Sequence, residues 1–294
     1  MSKKILVLGK DGQLGKSLQM FAHDSAGLDF VFWGRSDLNL TKLEELRQSL
    51  PEKFTNIDAV VNCAAYTAVD LAEEESNLAD MINHRALREL SRIAKGLDIP
   101  LVHISTDYVF NGSACRPYRE TDRTNPQNIY GQSKLAGEQA MLNSGCAGII
   151  IRTSWVYSEF GKNFLKTMIA LSHDREQLNV VSDQIGSPTY AYDLAQSIVL
   201  ILLQDSFWAT ENSAPEVYHY SNEGVASWFD FATKIMNLTN SKCRVSPIKT
   251  EQFPTPAKRP FYSLLDKSKI KQEFGLEVAH WEDSLGKCLQ RLTD

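Results

Sequence analysis

Tyr130 and Lys134 stand four residues apart in the stretch NIYGQSKLAGE, a spacing that puts a phenol and an ammonium on one face of a helix. Such a pair can exchange a proton with a substrate oxygen. A free phenol, with a pKa of about 10, is a poor acid at neutral pH. A lysine cation a few ångströms away favours the phenolate, and is expected to lower that value by roughly 1–3 pH units. Tyr130 would then protonate a carbonyl oxygen as hydride reaches its carbon. A chain with ten tyrosines meets this spacing by chance, so the pair needs partners.

HISTDYVF supplies them. It sets Ser105, Thr106 and Asp107 where the apolar run 101–105 ends, and ligands of open parallel sheets bind at the carboxyl ends of strands. One loop, 111–128, separates this strand end from the helix of Tyr130, with Pro126 suited to that helix start and Gly145 to its end. Thr106 is expected to hydrogen-bond the reacting oxygen and Lys134 to hold a cofactor ribose. Asn83, in MINHRALRELSRIAK, reads equally as a member of a proton relay, a helix cap or a core residue.

Strands and helices in alternation position these groups. KILVLG reads as a strand and residues 13–23 as a helix. DFVFW is a second strand, followed by a helix in TKLEELRQSL with Thr41 as its N-cap. AVVNCA (59–64), LVHIS (101–105) and GIIIRTSW (148–155) continue the series. These runs are nearly continuously apolar, as in parallel strands covered on both faces. The class is therefore α/β, a Rossmann-like doubly wound parallel sheet. After Trp155 the strands shorten and proline becomes commoner, with FPTPAKRP as an ordered loop. We assign residues 1–155 to a dinucleotide-binding domain, to which later segments return, and 156–294 mainly to a smaller C-terminal α/β substrate-binding domain.

The dinucleotide assignment rests on VLGKDGQLG, where Gly9, Gly12 and Gly15 follow the first strand and open the first helix. Small residues there let backbone approach a pyrophosphate at the helix N-terminus. The group that reads the ribose is expected about 20 residues later. That position holds Gly34 and Arg35 in FWGRSD, with Asp37 close by. An acid would suit the free hydroxyls of NAD, whereas arginine suits a 2′-phosphate. The reading is NADPH, with NADH as the alternative.

Bulk composition excludes several other classes. With 294 residues, 43% hydrophobic and 23% charged, the chain has a globular composition. Its net charge of −5 argues against a nucleic-acid or anionic-membrane partner, so an anionic ligand must be held by local groups. The apolar stretch of KILVLG is too short for a signal peptide, and IVLILL (198–203) is too short to span a bilayer. Five scattered cysteines without a Cys-x-x-Cys fit reduced thiols in the cytoplasm. Six histidines without ligand spacing give no metal site.

Together, GKDGQLG, VNCAAYTAVDLAE, STDYVFNG, YGQSKLAGE, RTSWVY, NF, DQIGSPT and PTPAKRP span nearly the whole chain. In these motifs it resembles the extended short-chain dehydrogenase/reductase superfamily and, within it, the dTDP-4-dehydrorhamnose reductase family. The resemblance implies NADPH contacts at Gly12, Gln13, Leu14, Arg35, Asn39, Leu40, Ala65, Tyr66 and Thr67, with Tyr130 and Lys134 on the nicotinamide ribose. It implies substrate contacts at Thr106, Asp107 and Trp155, and places Asn163, Gln184 and Arg259 near a nucleotide-sugar. The implied reaction is reduction of the 4-keto group of dTDP-4-dehydro-L-rhamnose to dTDP-L-rhamnose, a precursor of cell-surface polysaccharide. A homodimer is a further implication. Some members pair through a metal held by an acid at the position of Ser17, so a metal bridge is not expected here. Asn39 stands where the family commonly has an acid.

Read on their own, several of these residues have plainer roles. Trp155 suits packing, Gln184 suits a turn, and Arg259 suits a salt bridge as well as a phosphate clamp. A dehydratase would want an acid beside Asp107, where Tyr108 stands, and an epimerase an acid at the end of the second strand. The rival of another class is a catalytically idle nucleotide-binding regulatory subunit, which has no need of Tyr130, Lys134 or Thr106.

Overall fold

In the computed structural model, which describes residues 2–22, 25–209 and 214–293, the apolar runs of the first half become parallel strands. The order is β1 (Lys3–Leu8), α1 (Gln13–Gln19), β2 (Leu28–Trp33), α2 (Leu43–Lys53) and β3 (Ala59–Asn62). Then come α3 (Ser76–Asp80), one π-helical turn (Met81–Arg85), α4 (Ala86–Gly96), β4 (Leu101–Thr106), α5 (Ile129–Ser144) and β5 (Gly148–Thr153). Strand order runs β5-β4-β3-β1-β2, all parallel, so the chain changes direction between β1 and β3. A crevice for ligands opens beyond the carboxyl ends at such a switch point.

Burial explains why these strands show no polar alternation. Ile5 and Val7 of β1 enter one core with Leu18, Val102 and Ile151, while Leu6 and Leu8 enter another with Leu46, Leu90 and Ile150. Successive side chains point to opposite faces and both faces are covered.

Helix ends depart from the sequence reading in three places. Helix α1 stops at Gln19, because Met20, Phe21 and Ala22 take i→i−3 bonds to Ser17, Leu18 and Gln19; His23 lies outside the described residues. Lys42, not Thr41, is the N-cap of α2, since the N–H and hydroxyl of Thr41 both donate to Asn39 Oδ1, at 3.1 and 2.8 Å. Helix α5 begins after Asn128 rather than at Pro126, with Asn128 Oδ1 accepting from Gly131 N at 2.7 Å, while its other end is at Gly145 as read, in the left-handed region.

The second half continues with β6 (Val156–Tyr157), α6 (Phe164–Asp174), β7 (Gln177–Val181), β8 (Ile185–Gly186), β9 (Thr189–Tyr190), α7 (Ala191–Leu202) and α8 (Asp205–Trp208). It ends with β10 (Glu216–His219), β11 (Ala226–Ser227), α9 (Trp228–Leu238), β12 (Arg244–Ile248), α10 (Ser268–Phe274) and α11 (Trp281–Thr293). Strand β10 pairs parallel with β5 as the sixth strand of the sheet, and α7 packs on α1. Ile198, Ile201 and Leu202 of the IVLILL run are buried in the sheet core. Among the described residues no helix is long and apolar enough to cross a membrane. A separate core holds Tyr157, Leu165, Leu178, Phe231, Ile235 and Leu285.

Candidate active site

A cleft of about 980 Å³ lies over the carboxyl ends of the strands, running from the glycine loop to α5 and Trp155. At the first end the loop is shaped by what its residues lack. Gly9 has φ +87°, and a Cβ there would lie 2.8 Å from Ala64 N. A Cβ at Gly15 would lie 2.2 Å from the Gly9 carbonyl oxygen, so only glycine lets the turn fold onto α1. Gly9, Gly12, Gln13 and Leu14 line the cleft, and Gly12 caps α1 without a side-chain bond. Backbone is thus free to approach a phosphate.

Gly34, Arg35, Asn39 and Leu40 line the far end of the same cleft. Arg35 is exposed, and among the described residues it has no ion-pair partner. Asp37, the acid that competes for the ribose, is already engaged. It pairs with Lys10 Nζ at 2.7 Å and accepts from Gly34 N at 2.8 Å, and both bonds hold its carboxyl below the usual range. A glycine cradle, an available guanidinium and a carboxylate already paired together fit a dinucleotide with a 2′-phosphate.

Ala65, Tyr66 and Thr67 line the middle of the cleft beyond β3. Asn83 stands behind them. Its Oδ1 accepts from Tyr66 N at 2.9 Å, and its Nδ2 donates to Tyr66 O and Ser133 Oγ, each at 3.0 Å. With the whole amide committed, Asn83 is a clamp on the cleft wall, and the relay reading gives way to that role.

At the other end Tyr130 and Lys134 do share a face of α5, and both line the cleft with Thr106 and Asp107. The expected coupling between them is absent. Lys134 Nζ donates to the Ile104 carbonyl at 2.7 Å and faces His103 Nε2 at 3.1 Å. Tyr130 is pushed up to about 12 by burial, with the nearby Thr106 hydroxyl opposing and the Asp107 charge reinforcing the rise. With burial as the leading cause and no contribution from the lysine, the phenol is less acidic than a free one, not more. Lys134 itself is lowered to about 8, again by burial, with Glu138 opposing.

Asp107 is 2% exposed and is raised to about 7 by burial. Its Oδ1 accepts from Thr106 Oγ at 3.0 Å. Among the described residues Oδ2 has no partner in hydrogen-bond geometry, although the Ser263 hydroxyl is near enough to oppose the shift. Tyr108, in the place of a dehydratase acid, meets the Tyr130 ring edge-on at 5.8 Å.

The second half delivers its residues unevenly. Trp155 lies between β5 and β6 with φ +49° and rests on Trp228 of α9, ring centroids 3.7 Å apart, so two indoles form one wall of the cleft. Trp228 has no spacing in the sequence that ties it to Trp155. Asn163 reaches the cleft, but its Nδ2 donates to Gln13 Oε1 at 2.8 Å and Ser158 O at 2.7 Å, and its Oδ1 caps α6 through Lys166 N. Gln184 and Arg259 do not line it. Gln184 donates to Thr250 Oγ1 at 3.1 Å, and Arg259 makes a two-pronged pair with Asp70 at 2.9 and 2.7 Å. Ser17 is buried and donates to Gln13 O, and among the described residues no cluster of His, Cys, Asp and Glu could hold a metal.

Comparison with known proteins places this geometry. The family model for the RmlD substrate binding domain matches residues 3–294. A dTDP-4-dehydrorhamnose reductase of Aggregatibacter actinomycetemcomitans is 37% identical, over 96% of this chain and 97% of that one. Among solved structures, a dTDP-4-dehydrorhamnose reductase of Clostridium acetobutylicum is 36% identical with a TM-score of 0.91, covering 99% of this chain and 100% of its own. One from Bacillus anthracis, in complex with NADP, is 37% identical with a TM-score of 0.89 and the same coverage.

Proposed function

Because the chain belongs to the RmlD family of dTDP-4-dehydrorhamnose reductases, we propose that it reduces the 4-keto group of dTDP-4-dehydro-L-rhamnose to dTDP-L-rhamnose with NADPH. The observation that carries the reading is one cleft with a glycine cradle at one end and Tyr130, Thr106 and Lys134 at the other. Bound there, NADPH supplies the hydride. Gly9, Gly12, Gln13, Leu14 and Gly15 would take its pyrophosphate, Arg35, Asn39 and Leu40 its phosphorylated adenosine end, Ala65, Tyr66 and Thr67 its middle, and Lys134 its nicotinamide ribose.

Thr106 orients the carbonyl oxygen. Tyr130 gives that oxygen a proton as negative charge builds on it. The raised pKa suits this direction, since at neutral pH the phenol is entirely in its donating form. An alkoxide is a far stronger base than a phenolate, so the transfer still runs downhill. Asp107 and the Trp155–Trp228 wall would hold the sugar. Residues 1–155 with strand β10 would serve the dinucleotide, and 156–294 mainly the nucleotide-sugar. Asn163 would act by bracing Gln13. Gln184 and Arg259, both tied elsewhere, have no part in this reading.

The test is NADPH consumption with dTDP-4-dehydro-L-rhamnose beside other nucleotide-linked keto-sugars. Oxidation with the first and not the others is the expected result. Binding of NADPH without oxidation by any of them would return the chain to an idle regulatory subunit.

A further inference from the structure

Behind the Lys134 amine lies a buried pair of polar side chains that the reaction described above leaves unused. Asn62 ends β3 and His103 is its register partner on β4, so the two side chains leave the same face of the sheet. Both are buried. Ala64 N donates to Asn62 Oδ1 at 3.2 Å, which fixes the amide and leaves its Nδ2 3.1 Å from His103 Nδ1. An amide nitrogen only donates. Nδ1 must therefore accept, and a neutral ring carries its one proton on Nε2. That nitrogen lies 3.1 Å from Lys134 Nζ.

An amine that meets an N–H has to offer a lone pair. As a neutral amine, Lys134 accepts from His103 Nε2–H and donates to the Ile104 carbonyl, and every group in the chain is satisfied. As an ammonium it meets the ring donor to donor, unless the imidazole moves its proton to Nδ1 and forfeits the Asn62 bond. We propose that Asn62 and His103 are positioning residues that set the protonation of Lys134, and through it the pH range over which the reductase has a charged lysine beside its cofactor ribose. This deepens the reductase reading and rests on it.

The surroundings agree. Burial, then the Lys134 charge, hold His103 well below its ordinary value, so the ring is neutral. Of the charged groups facing the pair, Glu138 of α5 raises Lys134, but its carboxylate is itself held by Arg152 of β5 at 2.7 Å and by the Ser105 hydroxyl of β4. Tyr130 on α5, Asp107 and Tyr108 after β4, and Cys63 and Tyr66 after β3 are among the titratable groups that line the cleft with Lys134. Lys134 and His103 are therefore expected to titrate as a coupled pair.

Two measurements test this. In nitrogen-15 NMR of the full-length protein without ligand, the His103 ring, identified by its loss in His103→Gln or its displacement in Asn62→Asp, should be the Nε2–H tautomer once pH rises above about 8, where Lys134 is the neutral amine. An Nδ1–H tautomer there overturns the proposal. The second measurement is the pH profile of kcat/KM for keto-sugar reduction, in which both variants place an acceptor opposite the ammonium. His103→Gln does so with its amide oxygen. Asn62→Asp does so by drawing the ring proton to Nδ1, toward the introduced carboxylate, which leaves His103 Nε2 with a free lone pair. The alkaline limb should move up by about one pH unit, a tenfold change. Active variants whose limbs overlie the wild-type limb sink the proposal. A wild-type protein that reduces no keto-sugar sinks the reductase reading instead, and the tautomer measurement still decides the hydrogen-bond chain.

Discussion

The two ends of the cleft are built on opposite physical terms. At the glycine-loop end the design is subtraction: no Cβ at Gly9 or Gly15, no side-chain cap on α1, and an exposed Arg35 at the rim. Charges there face water, so pairs such as Lys10–Asp37 are screened and easily made. At the Tyr130 end ionisable groups are packed into protein. Burial, more than any neighbouring charge, sets their protonation, raising Tyr130 and Asp107 and lowering Lys134. One end is organised to bind an anion already charged. The other extends the range over which its acids stay protonated, Tyr130 most of all, so that a proton is at hand for a substrate oxygen.

That division predicts which variant hurts which step. The largest effect belongs to Tyr130→Phe. Removing the hydroxyl should lower turnover by roughly 10²–10⁴-fold, the usual contribution of a general acid, while NADPH affinity, measured by fluorescence titration, stays near that of the wild type. A variant that loses binding and turnover together would show that the two ends are not separable.

Arg35→Ala should do the reverse, and more mildly. The guanidinium is exposed, so a lost charged contact to a 2′-phosphate is worth about 1.5–3 kcal/mol at most. NADPH should weaken by roughly tenfold, NADH scarcely at all, and kcat at saturating cofactor should hold. Equal losses for both nucleotides would remove the arginine from the cofactor reading.

How far the sequence disclosed each end follows the same line. Strand runs, the glycine loop and the Tyr130–Lys134 helix face are local patterns, and the structure contains all of them within a few residues. The engagement of Asp37 shows only in three dimensions, since its tie to Lys10 crosses from the end of β2 to the glycine loop. What stayed hidden was direction and long-range pairing. Spacing puts Lys134 near Tyr130, but the amine turns toward Ile104 and His103, because those groups can satisfy it in a buried setting. Trp228, the Asp70–Arg259 pair and the Gln13–Asn163 contact each join segments far apart in the chain. Thr41 reads as a cap on its own, and only the neighbouring Asn39 oxygen draws it away.

Asp107 gives the finest test of the contrast, because its carboxyl at the buried end titrates near neutrality. It is raised from the ordinary range to about 7, so between those limits the folded protein holds a proton that the unfolded chain has released. The stability tied to that proton is complete below the unfolded value, near pH 4, and is lost as pH rises through about 7. In Asp107→Asn nothing titrates there. The melting temperature of the wild type should therefore fall relative to that of the variant as pH climbs from about 4 to 7, by an amount on the order of a few degrees. The Asp107 charge also raises Tyr130, so the same ionisation should depress turnover slightly in the wild type and not in the amide. Parallel melting curves for the two proteins across that range would mean that the carboxyl is hydrated and ionised in the cleft. The buried end would then be as wet as the glycine-loop end, and the contrast between them would fail.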